Sequence, residues 1–322
     1  MASTTRQALL QALSAAEGAY ISGQQLAQQL GVSRAAVHKA AAALTAQGYA
    51  LEAASRRGYR LLGGDPFCTE AVGPYPAPVQ LYDTLESTNR TAKLLALEGA
   101  AHGTLVLAGG QTAGRGRLGR SFASPAGKGV YCSVVLRPPL PAANAQTATI
   151  GAAVAVCRAV QTLCGLELAI KWVNDLYYKG KKVCGILTEA ALDLESGMLD
   201  YAVLGLGFNV AAPADGWPED LRDVAGALYD GSPAPGARAA LAAAFLNAFW
   251  PLYRAGPRSG YLDEYRRRQA LTGQRVLVTP RRGTPRAAQV QGIDDECKLV
   301  VRFDGESRPA ALNSGEVSVR LL

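Results

Sequence analysis

Strand-like runs alternate with alanine-rich helical stretches over residues 79–270, and this alternation limits the folds open to the chain more than any other feature. The strand-like runs are GTLVLAG, VYCSVVLR, ELAIKW, KVCGILTEAAL and YAVLGLGFNV. A helical pattern, QTATIGAAVAVCRAVQTL, lies between two of them. Because strands and helices place apolar residues at different periods, the sequence predicts a mixed α/β domain over this range.

The first 62 residues show a pattern typical of a helix-turn-helix. Apolar residues at helical spacing predict one helix over residues 6–14, and GQQLAQQLGVSRAAVHKAAAALTAQGY predicts two more, separated by a tight break at residues 30–33. Gly31 supplies the turn, and Ser33 is a suitable N-cap for the helix that follows. The polar side of that helix offers to DNA the residues Ser33, Arg34, His38 and Lys39.

The next segment, YALEAASRRGYRLL, predicts two short strands joined at residues 55–58, as in the wing of a winged helix. Arg56 and Arg57 at its tip are placed to reach a phosphate or a minor groove. An alternative is that these elements form a small packed domain that only contacts the rest of the chain. The order of break, cap and basic wing favours DNA binding.

Two changes in composition predict the domain boundaries. After Leu62 the sequence becomes GGDPFCTEAVGPYPAP, which is rich in Gly and Pro and predicts a linker. The last segment has short β runs broken by Gly, Asp and Asn, as in a small β-barrel of SH3-like size. We therefore predict a multidomain α+β protein with a winged helix-turn-helix at 1–64, a linker at 65–78, a mixed α/β domain at 79–270 and an SH3-like barrel at 271–322.

The composition indicates a soluble globular protein. A chain of 322 residues with 49% hydrophobic residues can bury its core without disulfides or a structural metal. The N-terminal residues lack a signal-peptide pattern, and no stretch approaches the roughly 18 apolar residues that a membrane span needs, so we expect a cytoplasmic protein. A net charge of +7 suggests polyanion partners, but a modest excess of Arg is also common in proteins from Arg-rich, Ala-rich proteomes.

The cysteines and histidines argue against a transition-metal site. The six cysteines include no CxxC pair, and the chain has only two histidines, His38 and His102. We expect reduced, mainly buried thiols and no protein-bound metal, with Mg²⁺ arriving only together with a phosphate ligand. The cysteines are Cys68, Cys132, Cys157, Cys164, Cys184 and Cys297.

A glycine-rich loop with three arginines, GGQTAGRGRLGRSF at residues 109–122, carries the strongest local signal. Glycines let the backbone approach a phosphate closely, and guanidinium groups bind its oxygens in a forked geometry. The alternative is a solvated basic loop. The segment matches neither a GxxxxGK[ST] phosphate loop nor a GxGxxG turn, which disfavours P-loop NTPases and Rossmann oxidoreductases.

A second signal is KWVNDLYYKGKKVCGILTE at residues 171–189, interpreted as one strand ending at residues 171–175, a glycine-containing turn and a second strand that carries Lys182. Such a hairpin delivers lysine and amide groups to one end of a sheet, and Trp172 offers a flat face for stacking. Lys182 is the best candidate for a catalytic cation. The alternative is a solvated lysine in a run of three.

Two weaker motifs complete the set. LESTN at residues 85–89 can cap the helix that follows or offer hydroxyl and amide groups to a ligand, and LGLGFNV at residues 204–210 is a glycine-rich strand end. Taken alone, Ser87 or Thr88 is more often a helix cap than a ligand contact.

Together and in this order, ESTN, QTAGRGRLGRSF, YCSVVLR, KWVNDLYYKGKKVCGIL and GLGFNV resemble the motifs of the biotin protein ligases. The winged helix in front makes the chain similar to the repressor-type members that also bind DNA. The resemblance covers nearly the whole chain, including GEVS near its end. It implies a central ligase domain of the class II synthetase-like type, biotin and ATP as substrates with Mg²⁺, a biotin carboxyl carrier protein and operator DNA as partners, and a ligand-promoted homodimer.

The resemblance also implies roles for single residues, without a covalent nucleophile. Biotin would contact Ser87, Thr88, Asn89, Gln111, Arg115, Gly116, Arg117, Lys182 and Gly185. ATP or the adenylate would contact Arg117, Arg120, Trp172, Asn174, Lys182 and Asn209. The implied catalytic groups are Lys182, Arg115 and Arg117.

One departure and two rivals remain. Family members often carry Trp two residues after the last loop arginine, where this chain has Phe122, so we expect a change in how the ordered loop packs over the adenylate. The nearest enzyme rival is a lipoate or octanoate ligase or transferase, against which RGRLGR and KWVNDLY argue. The other rival is a biotin-sensing regulator with little catalysis, against which the retained Arg115, Arg117 and Lys182 argue.

Overall fold

A computed structural model describes most of the chain. The described residues are 5–16, 18–46, 49–64, 72, 75–137, 145–192, 198–231, 233–256, 260–280, 283–314 and 317–322. Most of the predicted linker at residues 65–78 lies outside them, as do Cys68 and the first two residues of the GEVS motif. The predicted domain boundaries therefore stay predictions.

The N-terminal region has three helices followed by a hairpin, as the sequence predicts. The elements are α1 Thr5–Ala15, α2 Gly23–Leu30, α3 Arg34–Ala46, β1 Ala50–Ala54 and β2 Gly58–Gly63. The two strands pair antiparallel. They share with the helices a separate apolar core, which includes Leu9, Leu13, Leu26, Val37 and Leu44.

Local chemistry fixes the helix-turn-helix. Gly31 ends α2 in the left-handed conformation at φ 65°, which costs a glycine little. Ser33 accepts a hydrogen bond from the Ala36 N–H at 3.1 Å, so it caps α3 as predicted. Ser22 and Gln25 form a reciprocal capping box at the start of α2. The break between the helices is therefore specified by its own residues.

The central region is built on a seven-stranded sheet. Its strands are β3 Val79–Tyr82, β4 Leu105–Ala108, β5 Gly129–Leu136, β6 Ala169–Lys171, β7 Asp175–Tyr178, β8 Lys181–Leu192 and β9 Leu199–Asn209. Their order is β3-β4-β5-β9-β8-β7-β6. Only β3 and β4 pair in parallel among these strands, and the other neighbours are antiparallel.

Helices cover the sheet on both faces. The helix α4 Thr88–Leu97 packs on one face, where its Ala92 and Ala96 form a cluster with the sheet residues Val106, Val135, Tyr201 and Val203. The other face belongs to the main core and is covered by α5 Ala145–Cys164, α6 Ala237–Ala255 and α7 Tyr261–Arg267. The alternation along the sequence thus gives a mixed α/β layer structure, and the predicted α+β, multidomain fold class is confirmed.

Helix α5 is more apolar than the sequence interpretation allowed. Over Gln146–Cys164 its mean hydropathy is 1.4, which suffices for a membrane span by length and composition. However, 67% of that window is buried inside the protein. Such burial is typical of the core helix of a folded domain.

The C-terminal region is a five-stranded antiparallel sheet. Its strands are β10 Arg275–Pro280, β11 Arg286–Ile293, β12 Leu299–Phe303, β13 Ala310–Leu312 and β14 Val317–Leu321, in the order β13-β12-β11-β10-β14. Its apolar side shares the main core with the central region through residues such as Val276, Val290 and Leu299. The predicted small all-β unit is present, and it packs directly beside the central sheet.

The described cysteines are free thiols, and four of the five are buried. Burial raises the pKa of the Cys132 and Cys157 thiols to about 12, so both are protonated at neutral pH. They act as small apolar core residues, as expected.

Candidate active site

A cavity of about 910 Å³ opens on the α4 face of the central sheet. Every small-molecule residue predicted from the sequence lines it, although those residues come from five separate segments of the chain. The predicted residues that line it are Ser87, Thr88, Asn89, Gln111, Arg115, Gly116, Arg117, Arg120, Trp172, Asn174, Lys182, Gly185 and Asn209. Their roles toward a ligand stay predictions.

Three glycines form the floor of the cavity. Gly205 and Gly207 lie two residues apart on β9, so both face the same side of the sheet, and Gly185 on β8 pairs directly with Gly207. A Cβ at Gly207 would lie 2.9 Å from Cζ of Phe122. The Phe122 ring therefore rests on the glycine floor. Larger residues at the glycine positions would occupy the space that the ring takes.

A network of hydroxyl and amide groups defines one end of the cavity. Ser87 is the N-cap residue of α4 but makes no side-chain capping bond. Instead, the Oε1 atom of Gln111 accepts from the Thr88 N–H at 2.8 Å and from the Thr88 hydroxyl at 3.1 Å. The alternative in which the Ser87 side chain caps this helix is not realised, because the side-chain amide of Gln111 accepts from the Thr88 N–H instead. This leaves Ser87 beside the cavity.

Asn89 is held by three groups from two strands, β5 and β8. Its Oδ1 atom accepts from the Ser133 hydroxyl at 2.7 Å, and its Nδ2 atom donates to the Leu187 carbonyl at 3.2 Å and to Glu189 at 2.9 Å. Asn89 is only 4% exposed. Its position is therefore set by the protein, and its amide orientation follows from the Leu187 carbonyl, which can only accept.

The arginine loop is tied back on itself at its base. The Phe122 N–H donates to the Gly114 carbonyl at 2.8 Å, and the Gly116 N–H donates to the Arg120 carbonyl at 2.7 Å. A short 3₁₀ turn at Arg117–Gly119 forms its tip. The loop is thus a folded flap with a fixed base.

The loop arginines reach different neighbours. Arg115 forms an ion pair with Glu189 at 3.3 Å. Arg117 donates to Oδ1 of Asn174 at 3.1 Å and to the Ser314 carbonyl of the C-terminal sheet region. Arg120 is exposed at the cavity wall. The three guanidinium groups are spread along the cavity in this structure rather than gathered at one point.

Cations gather at the other end of the cavity. The Nζ atom of Lys182 lies 2.6 Å from Oδ1 of Asp175, and both side chains are one quarter exposed. Burial, together with the nearby Lys182, Arg120 and Arg320, holds the pKa of Lys171 below its usual value, although Asp175 opposes this. The charges at this end therefore repel one another in the absence of an anion, which favours binding of a polyanion.

The segment around Trp172 differs from its sequence interpretation. A single strand was predicted to run through residues 171–175, but β6 ends at Lys171 and the separate strand β7 starts at Asp175. Trp172 is 6% exposed, and its Nε1–H donates to the Cys297 carbonyl at 3.1 Å. Trp172 thus anchors a tight turn more than it offers an open stacking face.

Neighbouring groups hold this turn in place. The Trp172 N–H donates to Oε1 of Gln269 at 3.1 Å, and the Tyr265 hydroxyl donates to the Val173 carbonyl at 3.1 Å. Asn174 donates to the Ile186 carbonyl at 2.8 Å while its oxygen accepts from Arg117. Asn174 is therefore fixed beside the arginine loop.

Several lining residues were missed from the sequence. Asn209 donates to the Gly226 carbonyl at 3.0 Å, which brings the loop at residues 212–226 against the cavity. No local motif identifies most of the missed residues. Asp175 is the exception, because it is the acidic residue of the KWVND motif. The missed residues that line the cavity include Lys171, Asp175, Trp217, Leu221, Val224 and Arg320.

The predicted DNA-contacting residues are exposed on the N-terminal region. Arg34, His38 and Lys39 lie on the outer side of α3, and Arg56 and Arg57 occupy the hairpin turn. The Arg57 guanidinium lies 4.0 Å from the centre of the Tyr20 ring, a cation–π contact. The order helix, turn, helix and basic wing is therefore present in three dimensions.

Residues 81–209 match the Biotin/lipoate A/B protein ligase family, and residues 5–60 match an HTH domain. Together with the cavity and the exposed basic face of α3, these matches define the class of protein: a ligase domain preceded by a helix-turn-helix.

Relatives that match most of the chain narrow the class. The chain is 38% identical over 235 residues to the Bifunctional ligase/repressor BirA of Bacillus subtilis, covering 71% of this chain and 72% of that protein. It is 37% identical over 261 residues to the protein of the same name from Bacillus spizizenii, covering 79% and 80%. The chain therefore belongs to the family of bifunctional biotin protein ligases and repressors, and the resemblance inferred from the motifs is confirmed.

A solved structure has a similar fold. Biotin protein ligase from Aquifex aeolicus, in complex with biotin and ATP, superposes with a TM-score of 0.61 at 23% identity, covering 76% of this chain and 99% of that one. This similarity supports the fold of the part of the chain that it covers.

Proposed function

We propose that the protein activates biotin with ATP and transfers it to a lysine of a biotin carboxyl carrier protein in the cytoplasm, and that it represses biotin genes. One observation carries the proposal: a single cavity joins a hydroxyl and amide end to a cationic end across a flat glycine floor. Biotin has a cyclic urea at one end and a carboxylate at the other. Its two ends match the two ends of the cavity.

The hydroxyl and amide end suits a cyclic urea. Ser87, which is not used as a cap, has a hydroxyl that can donate to the urea carbonyl. Thr88 and Asn89 are fixed by Gln111, Ser133 and Glu189, so little ordering is needed when the ring binds. The glycine floor projects no side chains, and the Phe122 ring that rests on it lines the cavity as a flat apolar surface for the bicyclic ring.

The cationic end suits adenylate formation. In the first step a carboxylate oxygen of biotin attacks the α-phosphorus of ATP, which forms a mixed anhydride and releases pyrophosphate. Lys182, with Arg115 and Arg117 from the loop, stabilises the charge that builds up on the phosphate. Arg115 and Arg117 must leave Glu189 and Asn174 to do so, which couples substrate binding to loop closure.

Residues around this end would hold the nucleotide. Arg120, Trp172, Asn174 and Asn209 line the same cavity as Lys182, and the Arg120 guanidinium suits a triphosphate. We propose that Mg²⁺ enters with ATP and neutralises part of the triphosphate charge. Asp175, which already pairs with Lys182, is a carboxylate within the same cluster.

The second step is acyl transfer. A carrier lysine in its neutral form attacks the carbonyl carbon of the anhydride, AMP leaves, and an amide bond forms. Because the anhydride is sensitive to water, the flap at residues 114–122 has to cover it between the steps. The fixed base of the flap allows such closure without moving the sheet.

Label transfer tests the ligase activity. The expected result is incorporation of radiolabelled biotin into a purified carrier domain that requires the protein, ATP and Mg²⁺, with no label when any of the three is left out. Octanoate and lipoate, offered at the same concentration, are expected not to replace biotin. Binding of biotin without any transfer would instead identify a sensor with little catalysis, and transfer of octanoate would identify a lipoate-type enzyme.

The repressor role rests on the exposed basic face of α3 and the wing, including Arg34, Lys39 and Arg56. A helix-turn-helix monomer reads one half-site, whereas a two-fold dimer reads two. We therefore expect biotin and ATP together to convert the protein from monomer to dimer. Sedimentation velocity with both ligands, with each alone and with none, measures this; a protein that stays monomeric on operator DNA with both ligands would contradict it.

A further inference from the structure

Ser124 is a buried hydroxyl beside the candidate active site that does not line the cavity. It is 6% exposed and lies two residues after Phe122, the last residue of the arginine loop. Its Oγ atom accepts from the Nε2 group of Gln111 at 2.7 Å and donates to the Phe122 carbonyl at 3.1 Å. Ser124 therefore sits between Gln111, which faces the cavity, and the backbone of the loop.

The direction of this hydrogen-bond chain is fixed at both ends. The Thr88 N–H can only donate, so the Gln111 atom that faces it at 2.8 Å must be the oxygen. The Phe122 carbonyl can only accept, so the Ser124 proton points to it. The Ser124 oxygen is then left to accept from the Gln111 amide nitrogen, and the polarity of the Gln111 amide is determined.

Ser133 fixes Thr88 in the same way from the other side. The Asn89 amide oxygen, which cannot donate, takes the Ser133 proton at 2.7 Å. The Thr88 hydroxyl then donates to Ser133 at 2.8 Å or to Gln111 at 3.1 Å, and in either case its proton is used inside the protein. Toward the cavity, Thr88 presents lone pairs and Gln111 has one remaining amide proton to offer.

From this geometry we infer that Ser124 is a positioning residue, which sets Gln111 as a hydrogen-bond donor toward the ligand. The inference rests on the proposed function, because the ligand that matches an acceptor at Thr88 and a donor at Gln111 is a cyclic urea such as that of biotin. Ser124 acts only through Gln111. Without its hydroxyl, the Gln111 amide loses its partner on the nitrogen side and can rotate away from the ligand.

The backbone around Ser124 leaves little room for an alternative partner. A Cβ at Gly114 would lie 2.6 Å from Oγ of Ser124 and 3.1 Å from Nε2 of Gln111, so this glycine provides the space in which the two side chains meet. The Gln111 N–H also donates to the Ser124 carbonyl at 3.0 Å. Backbone and side-chain contacts thus hold the same two residues together, and the backbone contact remains when the hydroxyl is removed.

The test is a double-mutant cycle on biotin binding, measured by calorimetry with biotin alone and by steady-state kinetics. We expect S124A to raise the Kd and the KM for biotin about tenfold, as for one lost hydrogen bond in a buried site. The KM for ATP and kcat are expected to stay within about twofold, since the reacting end is not touched. In the Q111A background, S124A is expected to have no further effect, because Ser124 acts through Gln111.

The matched control is T112A, which removes an exposed hydroxyl from the same loop outside the cavity lining. It is expected to bind biotin as the unaltered protein does. If S124A does not fold, S124C, which keeps the size of the side chain but is a weak acceptor, is expected to give the same rise.

Two results would overturn this inference but not the proposed function. The first is unchanged biotin affinity in S124A. The second is an equal loss of biotin affinity when S124A is made in the unaltered protein and in the Q111A variant, which would indicate a general effect on the loop. Absence of biotin binding by the unaltered protein would overturn the proposed function as well.

Discussion

Lys182→Ala is expected to reduce biotin transfer to the carrier by about 10²–10³-fold, the usual cost of removing one group that stabilises transition-state charge. Lys182 lines the cavity over the glycine floor, with its Nζ atom 3.4 Å from the Cβ position of Gly185 and 2.6 Å from Asp175. Because a positive charge at this point is most useful when the phosphate charge develops, the loss should fall on kcat as well as on KM. Single-turnover adenylate formation with purified protein, biotin and Mg-ATP measures the step directly.

Lys179→Ala is the matched control for Lys182→Ala. Lys179 is a neighbouring lysine of the same hairpin, 66% exposed, and its partner Asp230 is 95% exposed, so its ion pair contributes little. This variant is expected to keep adenylate formation within about twofold of the unaltered protein. Equal activity of the two variants would remove Lys182 from the reacting end and would leave the loop arginines as the remaining candidates.

The fold was predictable where local patterns decide it. The helix-turn-helix follows from apolar spacing, from Gly31 at the break and from Ser33 at the cap, all of which are set by neighbours in sequence. The same holds for the long strands β5, β8 and β9, since each has enough apolar or β-branched residues to exclude a loop. Tertiary contacts only reinforce choices that these segments already make.

The site was predictable as a set of motifs but not as a set of partners. Glu189, which binds both Asn89 and Arg115, was not predicted, because its importance depends on a contact across 100 residues of sequence. Arg320 joins the cationic end from the last strand, and no local feature distinguishes it from the other surface arginines. Partners of this kind come from tertiary packing, which for Glu189 lies within the central region and for Arg320 involves the C-terminal sheet.

Two local preferences are overridden by distant groups. Residue type alone favours Ser87 as a side-chain cap, but Gln111 from another segment supplies the capping oxygen. The indole of Trp172 offers a flat face, but its N–H donates to a carbonyl of the C-terminal region. In both cases a distant polar group outcompetes the local preference, and capping statistics cannot account for such a group.

The glycine floor leads to the second large effect, at Gly205. A Cβ at this position would overlap the Asn89 side chain, with its Cγ atom 2.7 Å away, and Asn89 cannot move without breaking its bonds to Ser133, Leu187 and Glu189. Gly205→Ala is therefore expected to lower the free energy of unfolding by about 1–3 kcal/mol. It is also expected to weaken biotin binding by more than about tenfold, since Thr88 is linked to Asn89 through Ser133. Thermal unfolding and calorimetry measure the two effects.

Gly151→Ala provides the control for a glycine to alanine change in the same region. Gly151 lies within α5, and the nearest atom to its Cβ position is Cζ of Tyr261 at 3.7 Å, an ordinary contact. Because alanine has a higher helix propensity than glycine, the free energy of unfolding of this variant is expected to be unchanged or higher by up to about 1 kcal/mol. Its biotin affinity is expected to be unaltered. If Gly205→Ala matched it in both measurements, the packing of Asn89 on the sheet would not constrain the site.

The double variant Asn89→Ala with Gly205→Ala separates the fold from the site. Removing the Asn89 amide relieves the overlap, so part of the stability lost in Gly205→Ala is expected to return. Biotin affinity is not expected to return, because Ser133 and Glu189 lose the partner through which they hold the polar end of the cavity. Recovery of both together would mean that Asn89 only fills space. Recovery of stability alone would show that the glycine at position 205 is required to admit a side chain that organises the biotin site.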